Sequence, residues 1–338
     1  MKVFPKVSVW VELAHPHDLV VRYFLTDTEL FANLLNLYGN SEMIRRIDFD
    51  SLRCESPITV DDHLQEVIGD LRFSVNFKNG GYSKVFFFFE HQSKKEKRRQ
   101  WLRGLRKVLE FYEGCESDAE NTMTDDGKYP YVVMVVLYHG ETPWEELLQV
   151  EDMVSLPSDI DPHILSVPTI LIDASRIPQE ELKGPPALIA LLDTLQSTSA
   201  KKLPENFERI IEYFKDVKTD PRTYGWLNAL TRYFLAVTKT SKETAVKVIS
   251  KVLNKQETEK MVMSTMEELL LKGVKKGVKK GKIESKTQDV LKILDKRFKK
   301  IPNSIVQSVN SYTDLIALDS LFELALDCKT LAEFEREL

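Results

Sequence analysis

Asp70 and Glu90 stand at the ends of two apolar runs separated by a turn, and this pair is the strongest chemical signal in the chain. Asp70 opens the run Leu71–Phe77, and Glu90 closes the run Lys84–Gln92 (KVFFFFEHQ). Asn79-Gly80-Gly81 lies between them, and these residues tolerate the positive φ of a tight hairpin. Folding back on that turn brings the two acidic ends together. Side chains alternate along a strand, so Glu90 and Gln92 share one face and His91 takes the other. A carboxylate at the end of a strand as apolar as VFFFF is costly unless it is paired. A hard divalent cation, Mg²⁺ or Mn²⁺, would satisfy it through both carboxylates, a carbonyl and waters. Such a cation acidifies water and offsets charge on a phosphate. The competing readings are a hydrogen-bonded strand-end carboxylate for Asp70 and an ordinary polar strand end for Gln92.

The elements that must hold these residues follow from periodicity. Residues 17–38 predict one helix, with Val21, Phe24, Leu25, Phe31, Leu34, Leu35 and Tyr38 at helical spacing. Short strands are expected near 47–53 and 57–60. Leu71, Phe73, Val75 and Phe77 alternate with polar residues, the pattern of a half-buried strand. Lys84–Gln92 is apolar on both faces, which places it at the centre of a sheet covered on each side. A helix over 94–113 follows, amphipathic through Trp101, Leu102, Leu105, Val108, Leu109 and Tyr112. Acidic residues 116–126 predict a loop, and Tyr131–Tyr138 and Thr169–Asp173 predict two more strands. The fold class is α/β: a mixed central β-sheet flanked by helices, followed by an all-α C-terminal region.

After Pro185-Pro186 helical periodicity dominates, over 187–196, 205–216, 223–238, 241–253 and from 256 to about 299. The repeat GVKKGVKKG falls in the last of these, and each glycine weakens a helix by about 1 kcal/mol relative to Ala. That stretch reads as an exposed, marginal helix or a flexible spacer. Residues 288–338 predict three or four helices, broken at Pro302 and around Tyr312. The expected domains are a core over 12–180, a helical extension over 181–255, a basic linker over 256–287 and a small helical module over 288–338.

Composition narrows the class further. A hydrophobic fraction of 43% with 29% charged residues predicts a globular chain rather than a disordered one. The three cysteines Cys54, Cys115 and Cys328 form no CxxC pair, which argues against a disulfide framework and fits a reducing, cytoplasmic setting. No apolar run is long enough to cross a bilayer, so no membrane partner is expected. The net charge of −5 does not oppose nucleic-acid binding, because local charge decides it. Residues 94–107 gather Lys94, Lys95, Lys97, Arg98, Arg99, Arg103, Arg106 and Lys107 against Glu96 alone. Residues 272–286 gather seven lysines against Glu284. The first cluster follows the candidate centre directly and suits phosphate contact, against the bland reading of a solvated helix face. The second is more often a soluble linker.

The run GDLRFSV…GGYSKVFFFFEHQSKKEKRRQWLRGLRKVLEFYE…PYVVMVVLYHG resembles the recombination-promoting nuclease (Rpn) family of the PD-(D/E)XK superfamily. The opening HDLVVRYFL and the later ILIDASRIPQEELKG resemble its flanking sections. The resemblance implies a restriction-endonuclease-like fold and metal-dependent DNA cleavage linked to recombination or mobile elements. It implies that Asp70 and Glu90 are the motif carboxylates and metal ligands, with Asp18 as a further carboxylate. Gln92 stands where the wider superfamily has lysine; it can orient a water but brings no positive charge. Lys94 or Lys97 is the expected substitute. Arg22 departs from the lysine the family often has there, and the two differ in geometry.

The expected activity is that of an Mg²⁺-dependent endodeoxyribonuclease of low sequence specificity. Lys94, Lys95, Lys97, Arg98, Arg99 and Arg103 would hold the DNA backbone. A homodimer suits cutting of both strands. Two alternatives stand beside it: a DNA- or protein-binding module that kept the fold without useful cleavage, and a restriction-like defence nuclease. Asp18 reads equally as a helix N-cap. His15-Pro16-His17 has no second ligand cluster to make a metal site, His91 reads as structural, and Phe86–Phe89 read as core.

Overall fold

The computed structural model describes residues 16–55, 71–78, 84–94, 97–117, 123–124, 127–144, 167–199, 201–218, 220–238 and 240–338. Asp70, the expected hairpin turn, the expected strand over 57–60 and Lys95 lie outside them. Contacts divide the chain into two units, Leu13–Met266 and Glu267–Leu338.

The first unit opens with α1 (Pro16–Leu25), α2 (Thr28–Tyr38) and the single turn α3 (Glu42–Arg45). The expected single helix over 17–38 is therefore two. Asp27 ends the run: its carboxylate accepts from Glu29 N at 3.1 Å and Leu30 N at 3.3 Å, capping a new helix. Then come β1 (Ile47–Cys54), β2 (Arg72–Phe77), β3 (Lys84–Gln92), α4 (Lys97–Ser117), β4 (Tyr131–Tyr138) and β5 (Thr169–Asp173). Two short 3₁₀ turns precede α5 (Pro186–Ser199), α6 (Leu203–Glu212), α7 (Pro221–Thr238) and α8 (Lys242–Ile249).

The five strands form one sheet in the order β1-β2-β3-β4-β5. β2 runs antiparallel to both of its neighbours, β1 and β3, whereas β4 and β5 run parallel to β3. A parallel pair needs a crossover, and α4 supplies it between β3 and β4. β3 lies at the centre, as its two apolar faces require. Phe87 and Phe89 meet Phe31 of α2, which also stacks on Phe73 of β2 with centroids 3.8 Å apart and planes within 8°. Phe86 and Phe88 meet Phe111 of α4 on the other side and share a core with Val108, Cys115, Val132 and Met134. The helical layer on the Phe87 face is itself cored, with Phe207 of α6 stacked on Phe234 of α7 at 3.7 Å.

α9 (Lys255–Phe298) begins in the first unit and ends in the second, which is helical. It continues without a break through Gly277 and Gly281, around which a side chain would meet only open space. The GVKKGVKKG repeat is thus helical, and residues 277–281 of it are exposed. α10 (Asn303–Ser311), α11 (Leu315–Asp327) and α12 (Leu331–Arg336) follow, with breaks at Pro302 and Tyr312 as the periodicity predicts. Val290, Leu294, Ile305, Val309, Leu318, Leu321 and Phe334 form the core of this unit. Arg297 fastens it by donating to the carbonyls of Ala325 at 2.5 Å and Cys328 at 2.8 Å.

Candidate active site

The C-terminal end of β3 sets the geometry of the site. Arg72 pairs with Phe88 in the β2–β3 ladder, and Phe89 N donates to Leu71 O at 2.9 Å. That bond is the last described rung, and Asp70 and Glu90 are the next residues in sequence on either side of it. Glu90 shares its face with Phe86 and Phe88, toward α4. Its carboxylate Oε1 accepts from Nζ of Lys107. The two side chains keep only 15% and 16% of their surface, so the pair is shielded yet reachable from solvent. Gln92, on the same face, is buried, and its carbonyl accepts from His139 N at 3.1 Å.

Lys107 belongs to the inward stripe of α4. Gly104, Val108, Phe111 and Cys115 are buried at helical spacing, and the Lys107 side chain beside them keeps only 16% of its surface. A side chain at Gly104 would contact Met134 of β4 at 3.4 Å, which shows how closely α4 approaches the sheet here. The expected phase of α4 needs correction: Leu102 and Leu109 are exposed, while Phe111 and Cys115 point in. The helix also runs on to Ser117, four residues past the expected end, into the stretch read as acidic loop.

Of the other residues singled out by sequence, Lys94 and Arg103 are exposed. Lys97, Arg98 and Arg99 lie in the first turn of α4, where only the backbone is described. Arg106 pairs with Glu110 at 2.7 Å on the outer face of that helix. Asp18 pairs with Arg22 Nε at 2.8 Å within α1. Its neighbour His17 faces the histidines on the sheet side opposite Glu90.

That opposite side holds a cluster that sequence reasoning missed. His91 stacks on His139 with centroids 4.7 Å apart and planes within 12°. His17 lies 5.8 Å from His139 and accepts from or donates to Tyr233 OH at 2.6 Å. His139 Nδ1 bonds Ser199 Oγ at 2.8 Å. Burial lowers the pKa of all three imidazoles, and that of His139 reaches about 4. His91 is lowered well below its ordinary value, by burial first and then by its neighbours His139, His17 and Arg22. The Nε2 atoms of His91 and His139 are buried without a hydrogen-bond partner. Among the described residues no group of three or more His, Cys, Asp or Glu side chains could hold a metal ion. The histidines come from three distant stretches, so no local spacing signals them.

Tyr138-His139-Gly140 has a structural explanation. Tyr138 OH donates to Thr142 O at 2.7 Å, and any side chain at position 140 would collide with that phenol. A cavity of about 520 Å³ opens beside His139 and Gly140, with Ser175, Gln196, Ser199 and Lys201 on its walls. A second polar network absent from the sequence reading joins α5 to α6. Buried Asp193 accepts from Arg209 at 2.7 and 3.0 Å, from Tyr213 OH at 3.0 Å and from Ser197 Oγ at 3.0 Å.

The mixed sheet, its crossover helix and the carboxylate at the end of its central strand define an α/β protein of restriction-endonuclease-like fold. The chain belongs to the family described as "Putative transposase, YhgA-like", whose model matches residues 15–224. It is 28% identical over 183 residues to recombination-promoting nuclease RpnC from Escherichia coli, covering 54% of this chain and 57% of that one. It is 23% identical over 185 residues to recombination-promoting nuclease RpnD from Escherichia coli, covering 54% and 66%. A third relative, at 25% identity over 183 residues and coverage of 54% and 58%, is named inactive recombination-promoting nuclease-like protein RpnE, also from Escherichia coli. The alignments therefore span about three-fifths of the length of these relatives. No solved structure matches the chain. No helix among the described residues is long and apolar enough to cross a membrane.

Proposed function

We propose that this protein is a cytoplasmic, metal-dependent DNA endonuclease that hydrolyses phosphodiester bonds with little sequence preference, in the setting of recombination or mobile elements. The observation that carries the reading is Glu90, an acidic side chain at the end of an otherwise apolar central strand, with one carboxylate oxygen already engaged by a cation. A shielded oxygen donor of this kind suits a hard divalent ion. Asp70 is its expected partner from the sequence, standing two residues before β2, the strand that pairs antiparallel with β3. The names of relatives such as RpnC and RpnD support a nuclease.

Mg²⁺ or Mn²⁺, held by Glu90 and Asp70, would supply Lewis acidity at the scissile phosphate. Asp18 enters only as a further carboxylate, since Arg22 already balances its charge. Gln92 orients the attacking water through its amide. Lys94 and Arg103, with Lys95, Lys97, Arg98 and Arg99, hold the DNA backbone. Contacts of that kind read little sequence and weaken with salt. Two copies related by a two-fold axis would cut both strands.

The name of RpnE favours a second reading, a DNA- or protein-binding module without cleavage. Nicking of supercoiled plasmid in Mg²⁺ separates the two. Wild type should convert plasmid to the nicked form, and Asp70→Ala and Glu90→Gln should each abolish conversion. Binding of plasmid by the wild type with no metal-dependent nicking would establish the module instead.

A further inference from the structure

We propose that Lys107 of α4 supplies the positive charge that Gln92 cannot, acting as the catalytic cation of the nuclease centre in place of Lys94 or Lys97. The inference rests on the nuclease reading above.

Three observations converge on it. Lys107 Nζ contacts Glu90 Oε1 directly, on the sheet face that also carries Gln92. Lys107 lies on the inward stripe of its helix, whereas Lys94 is exposed and Arg106 is turned outward toward Glu110. The helix approaches β4 closely at Gly104, one turn before Lys107, so the ammonium is aimed along the sheet toward the end of β3. A lysine in the interior of a helix is ordinarily a surface group, and this one is 84% withdrawn from water by the side-chain exposure of 16%. A charge so placed acts at lower effective dielectric than an exposed one and is worth more to a developing anion.

In the hydrolysis, the oxygen of water forms a bond to phosphorus and one P–O ester bond to sugar breaks. The departing oxygen gains a proton and the attacking water loses one, both exchanged with solvent. Lys107 takes no part in that proton balance. Its ammonium offsets charge on the phosphate as the bonds change, and between turnovers it rests on Glu90.

The test is plasmid nicking in Mg²⁺ by the full chain. Lys107→Met should cut about 100-fold more slowly or worse, the loss typical of removing one charge-stabilising group. Lys107→Arg should recover much of the rate. Adding Gln92→Lys to Lys107→Met should also recover it, because the charge returns to the same face by another route. A purely structural Lys107 would not allow that rescue. Thermal melting shows whether Lys107→Met remains folded, and Lys107→Arg carries the test if it does not. The proposal is overturned if Lys107→Met cuts at the wild-type rate while Glu90→Gln is dead, which leaves the nuclease reading intact. It is overturned equally if neither Arg at 107 nor Lys at 92 restores activity to a folded protein. A wild-type chain that never nicks removes the nuclease reading and this inference together.

Discussion

His91 and His139 stack face to face, 4.7 Å apart, on the side of the sheet that Glu90 does not use. Both are held as neutral rings by burial, with His17 beside them and Tyr233, Ser199 and Arg22 as their polar surroundings. The consequence is a stability that depends on pH. His139 titrates at about 4 in the folded chain and near 6.5 once unfolded. Between those values only the unfolded state takes the proton, so stability rises with pH across that window. The full contribution is present above pH 6.5 and about 3 kcal/mol is lost as pH falls toward 4. Urea denaturation at pH 7.5, 5.5 and 4.5 should show this loss in the wild type. His139→Gln should show a shallower slope; an equal slope would mean that His139 does not carry the effect.

Arg103 is exposed on α4, beside residues that the proposed function gives to the DNA backbone. Arg103→Glu should weaken binding of duplex DNA of any sequence. Its plot of log affinity against log salt should flatten by about one unit relative to wild type. Fluorescence anisotropy between 50 and 200 mM salt, on the order of the range over which such slopes are read, measures it. An unchanged slope would take Arg103 out of the interface.

Asp193 is buried with Arg209, Tyr213 and Ser197 around it. Removing one partner leaves a buried charge uncompensated, at a cost of about 3–5 kcal/mol for a fully buried pair. Arg209 is partly exposed, so Arg209→Leu should fall below that range, at about 2–3 kcal/mol, in chemical denaturation. Asp193→Asn in the same background should cost much less than the sum of the two single changes, since the charge that needed Arg209 is gone.

Gly225 lets α7 lie against α1. A side chain there would overlap the phenol oxygen of Tyr23, while the ring carbon beneath it would stay 3.5 Å away. Gly225→Ala should therefore destabilise by about 1–3 kcal/mol through overpacking. Tyr23→Phe, which removes only the offending oxygen, should recover most of that in the double variant. Equal effects of Gly225→Ala in both backgrounds would place the strain elsewhere.

The strands were legible because their signals are local. The alternation of Leu71–Phe77 and the doubly apolar run of β3 fix both the hairpin ladder and the central place of β3, and Tyr131–Tyr138 and Thr169–Asp173 fall where the structure has β4 and β5. The α1–α2 break was hidden, because Asp27 caps a helix inside an unbroken apolar period. The phase of α4 was misjudged: Leu102 and Leu109 suggest an inner face, but Gly104, Phe111 and Cys115 occupy it. With that phase, Lys107 moves from the solvated basic cluster to Glu90, and only the tertiary approach of helix and sheet reveals the move. The three histidines and the Asp193 network join residues far apart in the chain, which no window of sequence compares. His91 itself was assigned a structural role from strand alternation alone, and it does lie opposite Glu90.

β3 carries its acid and its imidazole on consecutive residues, so one strand serves two surfaces that never meet. Glu90 and Lys107 meet on the face toward α4, whereas Phe87 and His91 pack on the other. Residues on one surface can thus vary while the other keeps the sheet packed, and the relatives carry both nuclease and inactive nuclease-like names.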